Sequence, residues 1–125
     1  MTEIYVIEDD NELATLVEHM LKRSLGATVR CFSRAENAIT AMEEGGEPDL
    51  FLVDLALPGV SGFEFISQIR KNPKTVDLPV LVVSARTELE DHARAIDVGA
   101  DGYLEKPFNK KRLLVKVKSL LEFTQ

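Results

Sequence analysis

Five short apolar segments recur at fairly even intervals along the chain and predict the strands of one sheet. Three of them are continuously apolar and rich in β-branched residues, which is typical of parallel strands that are covered on both faces. The second segment alternates, with Val29 and Cys31 on the face that we expect to pack, and this indicates a half-exposed edge strand. The predicted strands lie at 4–7, 27–32, 50–53, 80–83 and 102–104.

Amphipathic helices are predicted between these segments and after the last one. In the first helix, Leu16 belongs to the apolar stripe, and in the fourth only Leu89, Ala93 and Ile96 are in register. Helix starts are predicted where Glu follows Ser or Thr by three residues, at Ser33/Glu36, Ser61/Glu64 and Thr87/Glu90. Helix ends are predicted at Gly26, Gly45–Gly46 and Gly99.

Strict alternation of strands and helices predicts a doubly wound α/β fold, with five parallel strands and five helices on the two faces. Because the edge strand is second in the chain, 2-1-3-4-5 is the simplest strand order. We expect one domain spanning residues 1–125, without an internal repeat or a linker. Ligands of such sheets bind beyond the carboxyl ends of the strands.

Composition narrows the function classes. A chain of 125 residues with 45% hydrophobic residues can bury one core, and a net charge of −6 disfavours direct nucleic acid binding by this segment. No apolar run reaches the roughly 18 residues of a membrane span, and the first residues do not resemble a signal peptide. A single cysteine excludes an internal disulfide and fits a reducing compartment. We therefore expect a cytoplasmic protein with no membrane contact.

Polar residues follow four of the predicted strands, where the sheet core does not require them. They are Glu8, Asp9 and Asp10 after the first strand, Asp54 after the third, Ser84 after the fourth and Lys106 after the fifth. Parallel strands end at the same edge, so folding brings these side chains together. Singly, each has a simpler explanation: acidic residues cap helices, as we expect of Asp10 or Asn11, and lysines are usually solvated.

Together these residue types favour phosphoryl chemistry. Neighbouring carboxylates repel each other, and a hard divalent cation relieves that repulsion. Mg²⁺ suits the site better than Ca²⁺, because the sequence has no EF-hand loop and Mg²⁺ needs only one or two carboxylates beside water and phosphate. A metal and an ammonium group neutralise phosphoryl oxygens while a hydroxyl donates to one of them. A carboxylate nucleophile at such a site forms an aspartyl phosphate.

The strand-end motifs resemble the receiver domain of bacterial response regulators, and the resemblance covers essentially the whole chain. It is carried by residues 5–10, by 52–54 with Pro58 and Gly62, by 82–85 and by 99–108. The chain is similar to single-domain receivers of the chemotaxis type, which implies a flavodoxin-like fold.

The resemblance implies a role for each residue of the acidic edge. Asp54 takes the place of the phosphoacceptor, and Lys106 would contact the phosphoryl group. Glu8 and Asp9 take the place of the acidic pair that holds Mg²⁺. The carboxylate of Asp54 and the backbone carbonyl of Ala56 would be the other protein ligands.

The resemblance also implies a switch. Ser84 takes the place of the switch Ser or Thr, and assists the chemistry, while Tyr103 takes that of the aromatic residue that turns inward. The bond before Pro107 is expected to be cis. Glu8 and Ser84 replace a commoner Asp and Thr, and both preserve the chemistry. Arg86 is expected to shield the site.

The implied partners are a histidine kinase or a histidine phosphotransfer protein. Phosphorylation would switch the surface of the fourth helix, fifth strand and fifth helix, which contacts an output partner or a fused effector or forms a phosphorylation-dependent dimer. Asp101 and Lys116 match charges with which winged-helix regulators dimerise, whereas His92 and Gly102 depart from that pattern. The domain is expected to assist only its own phosphorylation and dephosphorylation, and not to be an enzyme.

Other classes fit less well. A phosphatase of the haloacid-dehalogenase type needs a second Asp where Ala56 stands, and a flavin carrier needs a phosphate loop after the first strand. The remaining alternatives are the N-terminal receiver of a longer regulator, such as a DNA-binding transcription regulator, and a pseudo-receiver that is not phosphorylated. We expect His19 and His92 to lie at the surface and not to be ligands.

Overall fold

Strands and helices alternate through the residues that the structure, a computed structural model, describes, which are 2–86 and 88–123. In chain order the elements are β1 (Glu3–Ile7), α1 (Asn11–Leu25), β2 (Thr28–Phe32), α2 (Ala35–Glu43), β3 (Leu50–Val53), α3 (Gly62–Lys71), β4 (Val80–Ser84), α4 (Leu89–Val98), β5 (Gly102–Glu105) and α5 (Lys110–Phe123).

The strands form one parallel sheet in the order β2-β1-β3-β4-β5, which confirms the predicted fold class and strand order. β1 lies between β2 and β3, with Ile4 opposite Val29 on one side and Leu50 on the other. The chain therefore leaves β1 toward one edge of the sheet and leaves β3 toward the other. The loops that follow these two strands diverge, and a crevice opens at the carboxyl edge between them.

Alternate residues of the central strands face two separate cores. Tyr5 and Phe51 point toward α2, α3 and α4, and that core also contains Phe65. Ile4 and Leu50 point to the opposite face, where they pack against α1 and α5. Because both faces of β1 and β3 are covered, these strands are apolar from Ile4 to Ile7 and from Leu50 to Val53, as their sequences predicted.

The helices differ from the sequence-based expectation in their exposed faces. Leu16, expected in the buried stripe of α1, is 48% exposed, because α1 packs through Ala14, Val17 and Leu21. None of the described helices is long and apolar enough to cross a membrane.

Helix α4 buries a different face from the predicted one. Leu89 is 84% and Ile96 56% exposed, and Ala93 is exposed as well. The helix packs instead through Ala95, which is buried, and through the half-buried His92. The spacing of three residues between these two places both on one helical face.

One of the predicted helix starts is confirmed. Ser61 caps α3 by accepting a hydrogen bond from the Glu64 N–H at 3.2 Å. Helix α2 begins after Arg34 without a side-chain cap, so the expected Ser33/Glu36 pair is wrong. Thr87 of the third pair lies outside the described residues.

Glu36 stabilises a neighbouring loop rather than its own helix. Its carboxylate pairs with Arg34 at 2.9 Å and accepts the Val60 N–H at 3.4 Å. The glycines predicted to end helices do so at Gly26 and Gly99, both with positive φ, whereas the cap of α2 is Glu44.

The edge strand β2 exposes more of its surface than expected. Val29 is buried, but Cys31 on the same face is exposed, so the expected packing of this cysteine is wrong. Its sulfur lies at the surface of α1, where it donates to Glu18 Oε1 at 3.4 Å. The sulfur itself is partly covered by α1, where it also lies 3.7 Å from Ala14 O.

Candidate functional site

Three carboxylates meet at the crevice between β1 and β3. One ligand oxygen each from Glu8, Asp9 and Asp54 lies within 4.8 Å of the other two. Glu8 directly follows β1 and Asp54 directly follows β3, and both are buried, whereas Asp9 is exposed. The sheet fixes both buried positions, because the Asp54 N–H donates to Ile7 O at 3.0 Å and the Glu8 N–H donates to Phe32 O at 2.9 Å.

A lysine closes this acidic edge from the side of β5. Lys106 Nζ lies 2.7 Å from Glu8 Oε1 and 3.0 Å from Asp54 Oδ2. Its backbone N–H donates to Ser84 O at 2.9 Å, and its bond to Pro107 is cis. Burial lowers the pKa of Lys106, but its hydrogen bonds to the two carboxylates outweigh burial and raise it overall, so the lysine remains charged.

Lys106 does not offset the effect of burial on the Glu8 carboxylate. Burial, with a smaller contribution from the charge of Asp54, raises the pKa of Glu8 to about 7 against the hydrogen bonds from Lys106 and the Asp10 N–H. When Glu8 is ionised, three carboxylates beside one ammonium group leave two negative charges. The residues therefore fit a divalent cation with oxygen ligands.

Both oxygens of Asp54 have a partner. Oδ1 accepts the Ala56 N–H at 3.0 Å, while Oδ2 accepts from Lys106. Helix α3 begins directly beside this turn, where the Gly62 N–H donates to Leu55 O at 3.2 Å. A Cβ at Gly62 would lie 2.7 Å from the Cα of Leu55, so only glycine permits this approach. The Asp54 carboxylate is thus held in one orientation.

The predicted switch residues lie on neighbouring strands and are joined through one loop. Ser84, fully buried at the end of β4, accepts the Arg86 N–H at 3.1 Å with its Oγ. Tyr103 of β5 donates its hydroxyl to the Arg86 carbonyl at 2.8 Å. Burial raises the pKa of Tyr103, which keeps the phenol protonated as a donor. The backbone of Arg86 therefore connects the two side chains.

Sequence reasoning missed the role of His92. We expected a surface residue, but its ring stacks on Tyr103 with centroids 3.7 Å apart and planes 23° from parallel. His19 is exposed, as predicted. No pattern in the sequence signalled the contact, because it depends on how α4 rotates against β5.

Two other charges have partners within the chain. The guanidinium of Arg86, expected to shield the site, lies 3.4 Å from Asp91 instead. Asp101, which matches a charge with which winged-helix regulators dimerise, accepts from Arg70 and from the Val80 N–H, each at 2.8 Å. Asp10 caps α1, as expected, by accepting the N–H of the two residues that follow Asn11.

Comparisons with known proteins agree on one family. The family model of the response regulator receiver domain matches residues 4–118. The chain is 36% identical over 121 residues to the phosphate regulon transcriptional regulatory protein PhoB of Rhizobium meliloti, covering 97% of this chain and 52% of PhoB. The chain spans about half the length of the curated relatives it matches.

Solved structures give the same result. The chemotaxis protein CheY4 of Vibrio cholerae superposes with a TM-score of 0.89 at 26% identity, covering 96% of this chain and 98% of CheY4. The receiver domain of a sensor histidine kinase from Pseudomonas aeruginosa, with a magnesium ion coordinated in its active site cleft, superposes with a TM-score of 0.86 at 27% identity. That match covers 97% of this chain and 98% of the other.

Proposed function

The chain belongs to the family of response regulator receiver domains, and from this premise we propose that Asp54 accepts a phosphoryl group in a two-component phosphorelay. The observation that carries the proposal is the pairing of Lys106 with both Glu8 and Asp54 beside Asp9. The donor is a phosphohistidine of a histidine kinase or of a histidine phosphotransfer protein.

In the transfer step, a carboxylate oxygen of Asp54 forms a bond to phosphorus while the bond from phosphorus to the donor's imidazole nitrogen breaks. The electron pair of that bond remains on the imidazole. Lys106 supports the step, because its ammonium group already contacts Asp54 Oδ2 and can neutralise a phosphoryl oxygen nearby. Ser84 supplies a hydroxyl donor from the neighbouring strand.

Mg²⁺ is the proposed cofactor. Glu8, Asp9 and Asp54 would hold it with their carboxylates, together with the backbone carbonyl of Ala56. When bound, the ion neutralises charge on the carboxylates and on the phosphoryl oxygens. The proposal is supported by the two negative charges that remain after Lys106 is counted.

Phosphorylation is proposed to change the surface of α4, β5 and α5 through Ser84 and Tyr103. Only one residue of α4, Ala95, is fully buried, so the helix is weakly held and suits a movable element. That surface would contact an output partner or a fused effector, or a second copy of the domain. The segment itself assists its phosphorylation and dephosphorylation without being an enzyme, and contacts neither nucleic acid nor membrane.

The alternative is that this domain is the receiver of a longer regulator. It is favoured by one observation: the relatives matched include transcriptional regulators about twice as long as this chain. The single free cysteine suits a reducing compartment, and we place the domain in the cytoplasm on that ground.

Thermal melting tests the acceptor site. The wild type, Asp54→Asn and the control Asp77→Asn, at an exposed position, are melted with and without Mg²⁺ plus beryllofluoride, a phosphoryl mimic. We expect the ligands to raise the melting temperature of the wild type and the control but not of Asp54→Asn, because a ligand stabilises only the form that binds it. No rise in the wild type would make the pseudo-receiver the better description.

A further inference from the structure

The His92–Tyr103 stack joins α4 to β5 beside the switch loop. The imidazole lies almost flat on the phenol ring, at 3.7 Å between centroids. Its Nε2 is enclosed and lies 3.2 Å from Glu105 Oε1. His92 is therefore not a solvated surface residue, although it lies on the same helix as Leu89, the most exposed of the large apolar side chains described.

The stack continues into a chain of contacts that reaches the buried edge of the sheet. Tyr103 donates to the Arg86 carbonyl at 2.8 Å, and the Arg86 N–H donates to Ser84 Oγ at 3.1 Å. Ser84 O in turn accepts from the backbone of Lys106 at 2.9 Å. Each contact fixes the next, so the position of the Tyr103 ring affects the loop that orients Ser84.

We propose that His92 is a positioning residue for this switch, whose ring holds Tyr103 against the Arg86 carbonyl and thereby keeps Ser84 oriented for a phosphoryl group at Asp54. This inference rests on the proposed function of Asp54. Tyr103 is only partly buried by the core, so the imidazole supplies the outer wall that keeps its ring in place.

The direction of the effect follows from linkage. In this proposal, the present arrangement, in which Tyr103 donates to the Arg86 carbonyl, is the one that a phosphoryl group at Asp54 selects from the two switch states. A phosphoryl mimic then binds more tightly when that arrangement is more populated. Without the imidazole, the phenol ring of Tyr103 is free to turn away from the Arg86 carbonyl. Part of the binding free energy is then spent on returning the ring to its place, so the ligand binds more weakly. The interaction free energy of a stacked aromatic pair corresponds to roughly a threefold to tenfold change in affinity.

The experiment measures the affinity of beryllofluoride, in excess Mg²⁺, for four proteins: the wild type, His92→Ala, His92→Phe and His92→Leu. We expect His92→Ala to bind roughly threefold to tenfold more weakly. His92→Phe restores a planar ring and should bind like the wild type, whereas His92→Leu keeps the bulk without the ring and should bind like His92→Ala. His19→Ala, at the other histidine, should have no effect.

A double-mutant cycle then separates positioning from general loss of structure. In a Tyr103→Ala background, His92→Ala should have no further effect on affinity, because the group it positions is gone. Equal affinities for wild type and His92→Ala, failure of His92→Phe to restore binding, or additive effects in the cycle would each overturn the inference. If the wild type itself binds no beryllofluoride, the proposed function fails instead, which is a distinguishable result.

Discussion

Removal of divalent metal should make the domain less stable as the pH rises through neutrality, because Glu8 is buried with a raised pKa. That pKa is about 7, against an ordinary value of 4.5, and burial is the largest cause. Folding therefore favours protonated Glu8. Its contribution to stability is fully present below about pH 4.5 and is lost as the pH rises through about 7. The difference corresponds to about 3 kcal/mol in the free energy of unfolding, at about 1.4 kcal/mol per tenfold change in proton affinity.

The assay is urea unfolding followed by circular dichroism between about pH 4.5 and pH 8, in EDTA and in Mg²⁺. Glu8→Gln is the informative variant, since it keeps the shape of the side chain without the carboxyl group. In EDTA, we expect the stability of Glu8→Gln relative to the wild type to increase by up to about 3 kcal/mol from the acidic to the basic end. In Mg²⁺ the wild type should regain most of the stability that it loses relative to Glu8→Gln at the basic end. Glu12→Gln, at an exposed position, is the control.

The difference in unfolding free energy between the wild type and Glu8→Gln is taken at each pH. This difference excludes the contribution of groups that titrate alike in both proteins. A difference that stays constant within about 0.5 kcal/mol across the pH range would refute the reasoning. It would mean that Glu8 binds protons equally well in the folded and the unfolded chain, and that burial does not govern its ionisation.

Three further predictions concern packing and reactivity. Gly62→Ala should lower the free energy of unfolding, measured in urea, by about 1–3 kcal/mol, because its Cβ would lie against Asp54 O and 2.7 Å from the Leu55 Cα. An unchanged free energy of unfolding would contradict this close approach. Arg70→Ala should lower the free energy of unfolding by about 1–3 kcal/mol, because three backbone carbonyls lose their hydrogen-bond donor. The control, Lys71→Ala at an exposed position, should change it by no more than about 0.5 kcal/mol. Equal effects of the two substitutions would contradict this account. Burial of the sulfur and then Glu18 raise the pKa of Cys31 to about 12, so alkylation at about pH 8 should be slow and Glu18→Gln should speed it. If the native protein is alkylated at Cys31 as fast as the unfolded chain, the raised pKa of this cysteine is refuted.

The fold was predictable because it depends on repeated local patterns. Residues 50–53 are apolar at every position, and Asp54 follows them at once, which locates both a buried strand and its end. The alternation in β2 identified the edge strand, and from these facts the strand order followed. The meeting of Glu8, Asp9, Asp54 and Lys106 followed in turn, since parallel strands share one carboxyl edge.

The errors fall where the environment of a side chain depends on a neighbouring element. Leu16 and Ile96 have the spacing of buried helical residues, yet both are exposed, because α1 packs through Ala14, Val17 and Leu21 and α4 through Ala95. Glu36 was expected to cap its own helix and instead pairs with Arg34 and the loop before α3. Local sequence specifies that a helix forms more firmly than which face it buries.

The sequence by itself determined the alternation of strands and helices, the two-sided burial of the central strands and the set of polar residues at one edge, since these depend on residues close together in the chain. Only the tertiary structure decided that Glu8 is buried enough to raise its pKa to about 7, and that His92 stacks on Tyr103. Such properties depend on solvent exclusion and on distances between atoms of different elements, which no local pattern encodes.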